Sequence, residues 1–102
     1  MTIVYTEQSL NSLQDLIYFL IEEQGIPLET TIKLRGELFD KTEKLINQPY
    51  LGQIEEYLEH LDKGHRRLIH EHIKIIYRVE KNIIYITDFF DSRQDPLKMK
   101  DF

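Results

Sequence analysis

The stretch HIKIIYRVEKNIIYITDFFDSRQDP, residues 72–96, decides the fold of the second half of the chain. Two runs rich in β-branched and aromatic residues, 73–79 and 83–90, flank the turn-forming residues Glu80-Lys81-Asn82 and predict two antiparallel strands. Side chains alternate along a strand, so Ile73, Ile75, Tyr77 and Val79 are expected on one face, and Lys74, Ile76 and Arg78 on the other. The run 83–90 is apolar on both sides, which is typical of a central strand covered by helices.

Upstream of this stretch the same β-type pattern continues. Residues 57–61 and 66–70 are short apolar or β-branched runs separated by Asp62-Lys63-Gly64, and residues 2–6 form a further β-prone segment at the start of the sequence. The four runs from residue 57 to residue 90 predict an antiparallel meander of about four strands.

The segment between residues 9 and 46 has helical periodicity. A first helix, capped by Ser9, carries Leu10, Leu13, Ile17 and Leu20 and is ended by Gly25 with Pro27. A second amphipathic helix ends at Asn47-Gln48-Pro49. The order strand, helical hairpin, sheet predicts an α+β fold, and the length of 102 residues predicts a single domain, residues 1–102.

Composition narrows the function classes. The chain has no cysteine, which excludes disulfides and thiolate metal sites, and it has neither a leader-like start nor an apolar run long enough to cross a bilayer, so we expect a cytoplasmic protein. The formal net charge of −5 disfavours broad nucleic-acid affinity. The balance reverses between residues 63 and 78, where one acid accompanies five cations, namely Lys63, Arg66, Arg67, Lys74 and Arg78. If the protein binds an anionic ligand, we expect the binding site to lie between residues 63 and 78.

Four motifs occur in a characteristic order. They are Pro49-Tyr50-Leu51-Gly52, Arg67-Leu68, the run from His72 to Val79 that ends in Ile76-Tyr77-Arg78-Val79, and Phe89-Phe90-Asp91-Ser92-Arg93-Gln94-Asp95-Pro96. Together they resemble the RelE/ParE toxins of type II toxin–antitoxin systems, whose pattern has a Pro-x-x-Gly turn after a helical hairpin and a last strand running into Arg-x-Asp-Pro. The motifs cover about half of the chain, and the preceding strand and hairpin fit the remainder.

The resemblance implies a curved sheet packed on the helical hairpin, a cognate antitoxin as partner, and roles in growth inhibition and plasmid stabilisation. In RelE-like relatives, cations on the concave face of the sheet cleave ribosome-bound messenger RNA without a metal. ParE-like relatives instead inhibit DNA gyrase. The two branches share one fold, so the fold alone does not decide between them.

The resemblance also assigns candidate site residues. Lys74 and Arg93 match cations of the ribonuclease-type relatives, and Arg67 matches a position in the preceding strand from which it would face the same groove. We expect Lys74 and Arg93 to face one common hollow, with Arg67 and Arg78 as further contacts for a target or an acidic antitoxin segment. The alternative is that Lys74 is a solvated cation, and that Arg93 pairs with Asp91 or Asp95 to fix the C-terminal turn.

The sequence also departs from the ribonuclease-type pattern. Those relatives often carry a tyrosine several residues after the arginine that corresponds to Arg93, whereas residues 94–102 contain none. This departure and the acidic composition favour the ParE-like branch, a gyrase inhibitor that needs no cofactor and no metal. The alternatives are a RelE-like endonuclease that uses Lys74, Arg67 and Arg93, and a non-toxic module that only binds its partner. His70 and His72 share a strand face, but no nearby carboxylate completes a metal site.

Overall fold

The computed structural model describes residues 1–99 and confirms the predicted α+β fold. A short strand is followed by two helices and then by the remaining strands of one sheet. The elements are β1 (Thr2–Tyr5), α1 (Glu7–Glu22), α2 (Leu28–Glu43), β2 (Gln53–Ile54), β3 (Arg66–His70), β4 (Ile73–Glu80) and β5 (Ile83–Asp91). Three 3-10 segments, Lys44–Ile46, Glu56–Leu61 and Pro96–Lys98, join or follow them.

The sheet has five strands in the order β1-β5-β4-β3-β2. Strands β2 to β5 pair with their neighbours in antiparallel fashion, but β1 pairs with β5 in parallel, with Thr2 opposite Ile83 and Tyr5 opposite Ile86. The predicted antiparallel sheet of about four strands is confirmed as β2 to β5, and the N-terminal strand joins it in parallel, so the complete sheet is mixed and has five strands. Strand β5 occupies the inner position that its two-sided apolar pattern predicted.

Residues 57–61 are not a strand, and this corrects the strand predicted for that run. They belong to the 3-10 segment Glu56–Leu61, which begins where the Glu55 side chain accepts a hydrogen bond from the Tyr57 N–H, 3.2 Å away. Leu58 and Leu61, three residues apart, pack from this segment onto the sheet. A spacing of three matches the 3-10 repeat, in which such side chains lie above one another.

The helical hairpin covers one face of the sheet. Helix α1 is capped by Thr6 rather than by Ser9, because the Thr6 hydroxyl accepts from the Ser9 N–H at 3.1 Å, while the buried Ser9 hydroxyl donates to the Thr6 carbonyl. Gly25 lies in the turn after α1 with φ +63°, a conformation that favours glycine. The main core between hairpin and sheet includes Leu13, Leu16, Leu20, Leu38, Leu45, Leu68, Ile73, Ile75, Tyr77, Ile84, Ile86 and Phe89.

The opposite face of the sheet has a smaller apolar cluster. Ile76 and Phe90 lie there under Leu58 and Met99, so the 3-10 segment and the residues after β5 shield part of this face. The alternation predicted for β4 is confirmed, because Ile75 and Tyr77 belong to the helix-side core and Ile76 to the opposite cluster. The register between β4 and β5 shifts between Ile76 and Tyr77, and this bulge changes the direction of β5.

Gly52 holds the turn that precedes β2 against the sheet. Its N–H donates to the Tyr77 hydroxyl at 2.9 Å, and burial of Tyr77 raises the pKa of that hydroxyl. A Cβ atom at position 52 would lie 2.5 Å from the Arg67 carbonyl oxygen and 2.8 Å from the Tyr77 ring, closer than real contacts allow. Only glycine fits this close approach.

Neither helix of the described residues combines the length and apolar character needed to cross a bilayer.

Candidate functional site

The cations Arg67 and Lys74 lie on the sheet face that points away from the helices. Arg67 is opposite Ile76 and Lys74 is opposite Ile69 in adjacent strands, so both side chains leave the sheet on the same side. Both reach Glu55: the Lys74 Nζ lies 2.8 Å from one carboxylate oxygen, and an Arg67 nitrogen lies 3.8 Å from the other. The two candidate cations are thus brought together, as the sequence predicted, but by an acid of the same chain.

Glu55 is almost completely buried, with 1% of its surface exposed. It follows β2 directly, and its backbone N–H donates to the His65 carbonyl at 2.9 Å, which continues the contact between the β2 and β3 segments. One carboxylate oxygen also accepts from the Tyr57 N–H. A buried carboxylate is stable when it is ionised only if cations and N–H donors surround it, and Glu55 has both.

The remaining contacts of Arg67 and Lys74 are also internal. Arg67 donates to the Ile54 carbonyl at 2.5 Å and to the Gln53 side chain at 3.1 Å. The Lys74 ammonium lies 5.4 Å from the centre of the Tyr57 ring, close enough for a cation–π contact. Both cations are therefore engaged by groups of the same chain, and the single negative charge of Glu55 offsets one of their two positive charges.

Arg78 lies further along β4, on the same face as Lys74. Its guanidinium stacks over the Tyr85 ring at 4.5 Å and donates to the Glu80 carboxylate. Arg66 leaves β3 on the other face, as expected from strand alternation, where it donates to the Gly52 carbonyl at 2.7 Å. Among residues 1–99, no acid pairs with both Arg78 and Lys74.

Arg93 is paired with Asp91. Its Nε and a terminal nitrogen lie 3.0 and 2.7 Å from the two carboxylate oxygens, and its backbone N–H donates to the same group at 2.9 Å. The Arg93 side chain, by these hydrogen bonds and its charge, holds the pKa of Asp91 below its ordinary value. The pairing of Arg93 with Asp91, the alternative stated above, is what the structure contains.

Lys74 and Arg93 are paired with different acids, and the expectation that they face one common hollow stays a prediction. Arg93, half of whose side chain is exposed, lines an open groove of about 1100 Å³. Phe90, which lies opposite Lys74 in the sheet, also lines this groove, whereas the Lys74 ammonium extends to Glu55. The site residues of the RelE-like alternative are therefore held by two acids, Glu55 and Asp91.

The groove that contains Arg93 lies along β5, between α1 and the segment after β5, and it is lined by apolar and polar side chains. The apolar side chains are Leu16, Phe19, Phe89, Phe90, Leu97 and Met99. Asp15 and Lys98 place opposite charges at its sides. The groove could not be identified from the sequence, because its walls come from residues far apart in the chain.

The histidine side chains of the described residues do not form a metal site. Within residues 1–99, no three histidine, aspartate or glutamate side chains lie close enough to hold a metal ion together. His70 lies 3.9 Å from the Glu37 carboxylate of α2, and His65 is buried beside β2. Residues 100–102, the end of the stretch without tyrosine, lie outside the described residues.

Comparison with known proteins agrees with this architecture. The family model for the ParE toxin of type II toxin–antitoxin system, parDE, matches residues 3–96, which include both helices, β2 to β5 and all of β1 except Thr2. No individual curated protein matched the chain. The match extends through the Pro49 to Gly52 turn, the paired strands β4 and β5, and the Arg93 to Pro96 segment. On this evidence the chain belongs to the ParE toxin family of type II toxin–antitoxin systems.

Proposed function

We propose that this toxin inhibits its target by binding a protein of the DNA gyrase class, and that it does not cleave RNA. The observation that supports the proposal is the engagement of Lys74 and Arg67 by the buried carboxylate of Glu55. Cleavage of RNA by attack of the 2′-hydroxyl requires free cationic groups aimed at the phosphate where negative charge develops. Two cations whose side chains are already held by the Glu55 carboxylate are poorly placed for that role.

Arg93 is suited to a protein contact. Its Asp91 partner fixes the guanidinium, half of the side chain is exposed, and an apolar groove lies beside it. Arginines next to apolar surface are frequent centres of protein–protein binding energy, because the fixed planar group makes several hydrogen bonds at a low cost in entropy. We assign the target-binding surface to Arg93 and the adjoining end of β5.

The ribonuclease alternative retains one supporting observation. Arg67 and Lys74 lie on the same sheet face and within reach of a single carboxylate, so displacement of Glu55 by RNA phosphate would present both to one ligand. In that mechanism Glu55 acts as an internal competitor of RNA. Glu55→Gln would then raise ribosome-dependent cleavage, whereas a gyrase inhibitor would gain no nuclease activity from the same change.

Two assays separate these functions. The purified toxin is added to DNA gyrase, where ATP-dependent supercoiling of relaxed plasmid is measured, and separately to translating ribosomes, where messenger RNA cleavage is mapped. We expect supercoiling to be inhibited and RNA to remain intact. Arg93→Ala should weaken gyrase inhibition by about tenfold or more, and Arg35→Ala, an exposed arginine on α2, is the matched control.

Cleavage of RNA that is lost in Lys74→Ala would instead identify a nuclease. Inactivity in both assays, together with normal growth of cells that express the soluble toxin, would favour the non-toxic binding module. We further propose that the toxin acts in the cytoplasm, where its target is located, that a cognate antitoxin neutralises it, and that the pair stabilises the plasmid or chromosomal segment encoding it. Restored growth on co-expression of the antitoxin tests the neutralisation.

A further inference from the structure

The sheet ends at β1 on one side and at β2 on the other. Strand β1 pairs with β5 along Thr2–Tyr5, and no described strand lies on its outer side. Beyond Ile86, β5 continues beside α1 and the groove that contains Arg93. Strand β1 is the longer of the two edge strands, with four residues against the two of β2.

The hydrogen bonds of β1 show which of its backbone groups face outwards. The Thr2 N–H donates to the Asn82 carbonyl and the Thr6 N–H to the Ile86 carbonyl, both at 3.1 Å. Successive residues of a strand direct their backbone groups to opposite sides, so the N–H and C=O of Ile3 and of the fifth residue of the chain point away from β5. No hydrogen bond within residues 1–99 reaches these four outward groups.

The edge formed by β2 and β3 is protected by cations. The Ile54 carbonyl of β2 accepts from the Arg67 guanidinium at 2.5 Å, and beyond β2 the Ile69 carbonyl of β3 accepts from the Lys41 ammonium at 2.6 Å. Short edge strands and cations at an edge hinder the addition of another strand. Strand β1, by contrast, contains no charge and no proline, and its pairing with β5 contains no bulge.

The side chains of β1 are apolar on both faces of the sheet. Ile3 and Tyr5 pack against the core on the helix side, whereas Val4 lies on the opposite face and is 38% exposed. Isoleucine, valine and tyrosine are residues that favour strands. The open edge therefore suits a further uncharged strand of β-prone residues, and β1 of a second copy is such a strand.

Two copies of β1 are complementary in an antiparallel register centred on Val4. In that register Ile3 of each copy lies opposite Tyr5 of the other, so the outward N–H and C=O groups face each other and can exchange four hydrogen bonds. The facing side chains form pairs of a β-branched and an aromatic residue, which stabilise antiparallel strands. The two Val4 residues become a close pair whose own backbone groups remain bonded to β5.

The charges at the two ends of β1 also favour an antiparallel pair. Lys81 lies in the turn between β4 and β5, one residue before Asn82, whose carbonyl accepts from the Thr2 N–H. Glu7 begins α1 at the other end of β1. Both side chains are exposed, and neither forms an ion pair within residues 1–99, whereas Glu80 of the same turn is already paired within the chain. Antiparallel pairing brings the Lys81 end of one copy towards the Glu7 end of the other, so opposite charges meet at both ends.

We propose that two copies of this chain associate through antiparallel pairing of their β1 strands, which joins the two sheets into one continuous sheet. A strand of four residues is about 13 Å long, which is short compared with the interfaces of ~1,200–2,000 Å² that form stable dimers. The association is therefore reversible, and we expect half of the chains to be paired at roughly 10–100 µM. The inference does not depend on the target proposed above.

Sedimentation of the purified chain over a range of concentrations tests the association. The average mass is expected to rise from that of the monomer to that of the dimer and to stop there, because the symmetric pair uses up the β1 edge of both copies. A chain that remains monomeric at several times the expected concentration would overturn the proposal.

Single cysteines test the register, because the chain has no cysteine of its own. Val4→Cys places two thiols at a close pair whose Cα atoms are about 4.5 Å apart, within the range of a disulfide. Thr2→Cys is the matched control on the same face, since in this register the two Thr2 residues lie about 13 Å apart. Under mild oxidation we expect the Val4→Cys dimer to form about tenfold faster or more. Equal rates would overturn the antiparallel register, because a parallel pair brings both positions together.

A lysine on each edge distinguishes β1 from β2. Val4→Lys places two ammonium groups side by side and should weaken association by about tenfold or more. Ile54→Lys on β2, where the isoleucine is 39% exposed, is the matched control and should change association by less than about twofold. Association that is lost in Ile54→Lys but kept in Val4→Lys would place the contact at β2 and overturn the proposal.

A charge exchange tests the two ends of the interface. Glu7→Lys brings two lysines together and should weaken association by about threefold or more. Combining it with Lys81→Glu restores opposite charges and should return the association to within about twofold of the parent. A double variant that associates as weakly as Glu7→Lys alone would contradict the antiparallel arrangement.

Discussion

The Lys74 ammonium lies 2.8 Å from the Glu55 carboxylate, and this contact fastens the centre of β4 to the segment that follows β2. Arg67 reaches the second oxygen of the same carboxylate. One buried acid therefore links the segment after β2 to both β3 and β4. Its removal is expected to affect stability more strongly than the removal of an acid from a surface ion pair.

We predict that Glu55→Gln lowers the free energy of unfolding by roughly 2–3 kcal/mol. This is below the ~3–5 kcal/mol lost when a fully buried pair is broken, because Lys74 and Arg67 retain access to water. Urea unfolding followed by circular dichroism measures the change. Glu80→Gln, which removes the exposed partner of Arg78, is the control and should cost less than about 1 kcal/mol. Similar losses in both variants would contradict a structural role for Glu55.

Two glycine-to-alanine substitutions are expected to act in opposite directions. Gly52→Ala introduces a Cβ atom 2.5 Å from the Arg67 carbonyl and disturbs the hydrogen bond to Tyr77, so we expect a loss of about 2–4 kcal/mol. Gly36→Ala lies inside α2 with nothing within 4 Å of the new atom, and should stabilise by about 0.5–1 kcal/mol. Thermal and urea unfolding of the two variants measure both signs. A neutral Gly52→Ala would mean that the turn relaxes at little cost.

The pairing of Arg93 with Asp91 predicts a defined pH dependence. Because Arg93 lowers the pKa of Asp91 in the folded state, the ionised carboxylate stabilises the fold at every pH above its unfolded pKa. This contribution is lost as the pH falls through the lowered folded value. Arg93→Gln should therefore destabilise the protein near neutral pH, and the difference from the parent should disappear in acid, where Asp91 is protonated in both. Unfolding curves over an acidic pH series measure this, and a difference that persists in acid would rule out the linkage.

Loss of Lys41 is expected to expose the edge of β3 beyond Arg66 and Arg67, the two residues that β2 covers. Lys41→Met removes the ammonium that bonds to the Ile69 carbonyl and leaves an exposed isoleucine beside an unpaired strand edge. We predict concentration-dependent self-association with a change in stability of less than about 1 kcal/mol, because the contact is exposed. Light scattering coupled to gel filtration measures it. Lys33→Met, on an exposed position of α2, is the control and should remain unchanged in size.

The parts of the fold that were predictable are those governed by local periodicity. The alternation in residues 73–79 gave the faces of β4 correctly, and the spacing of Leu13, Ile17 and Leu20 identified α1. The direction of β1 was not predictable, because a short strand carries no local signal for a partner about eighty residues away. Residues 57–61 were assigned to a strand because a 3-10 segment and a short strand have similar composition, and only the contact between Glu55 and Tyr57 distinguishes them.

The candidate site was predictable only in part. Strand alternation correctly placed Arg67 on the same side as Lys74, and the resemblance drew attention to Arg93. Glu55 was missed, because one acid beside another in an acidic segment gives no indication that it is buried against two cations. The choice of Asp91 over Asp95 as the partner of Arg93 follows from hydrogen bonds that are a property of the folded turn and not of residue spacing.

The parallel pairing of β1 with β5 has a consequence for the order of events during protein synthesis. The first strand to leave the ribosome has to wait for its partner, because Thr2 pairs with Ile83 and no earlier segment takes that place. Contacts between such distant residues form late and slow the search for the native state. Until β5 emerges, the nascent chain therefore has neither its finished sheet nor the groove beside Phe89.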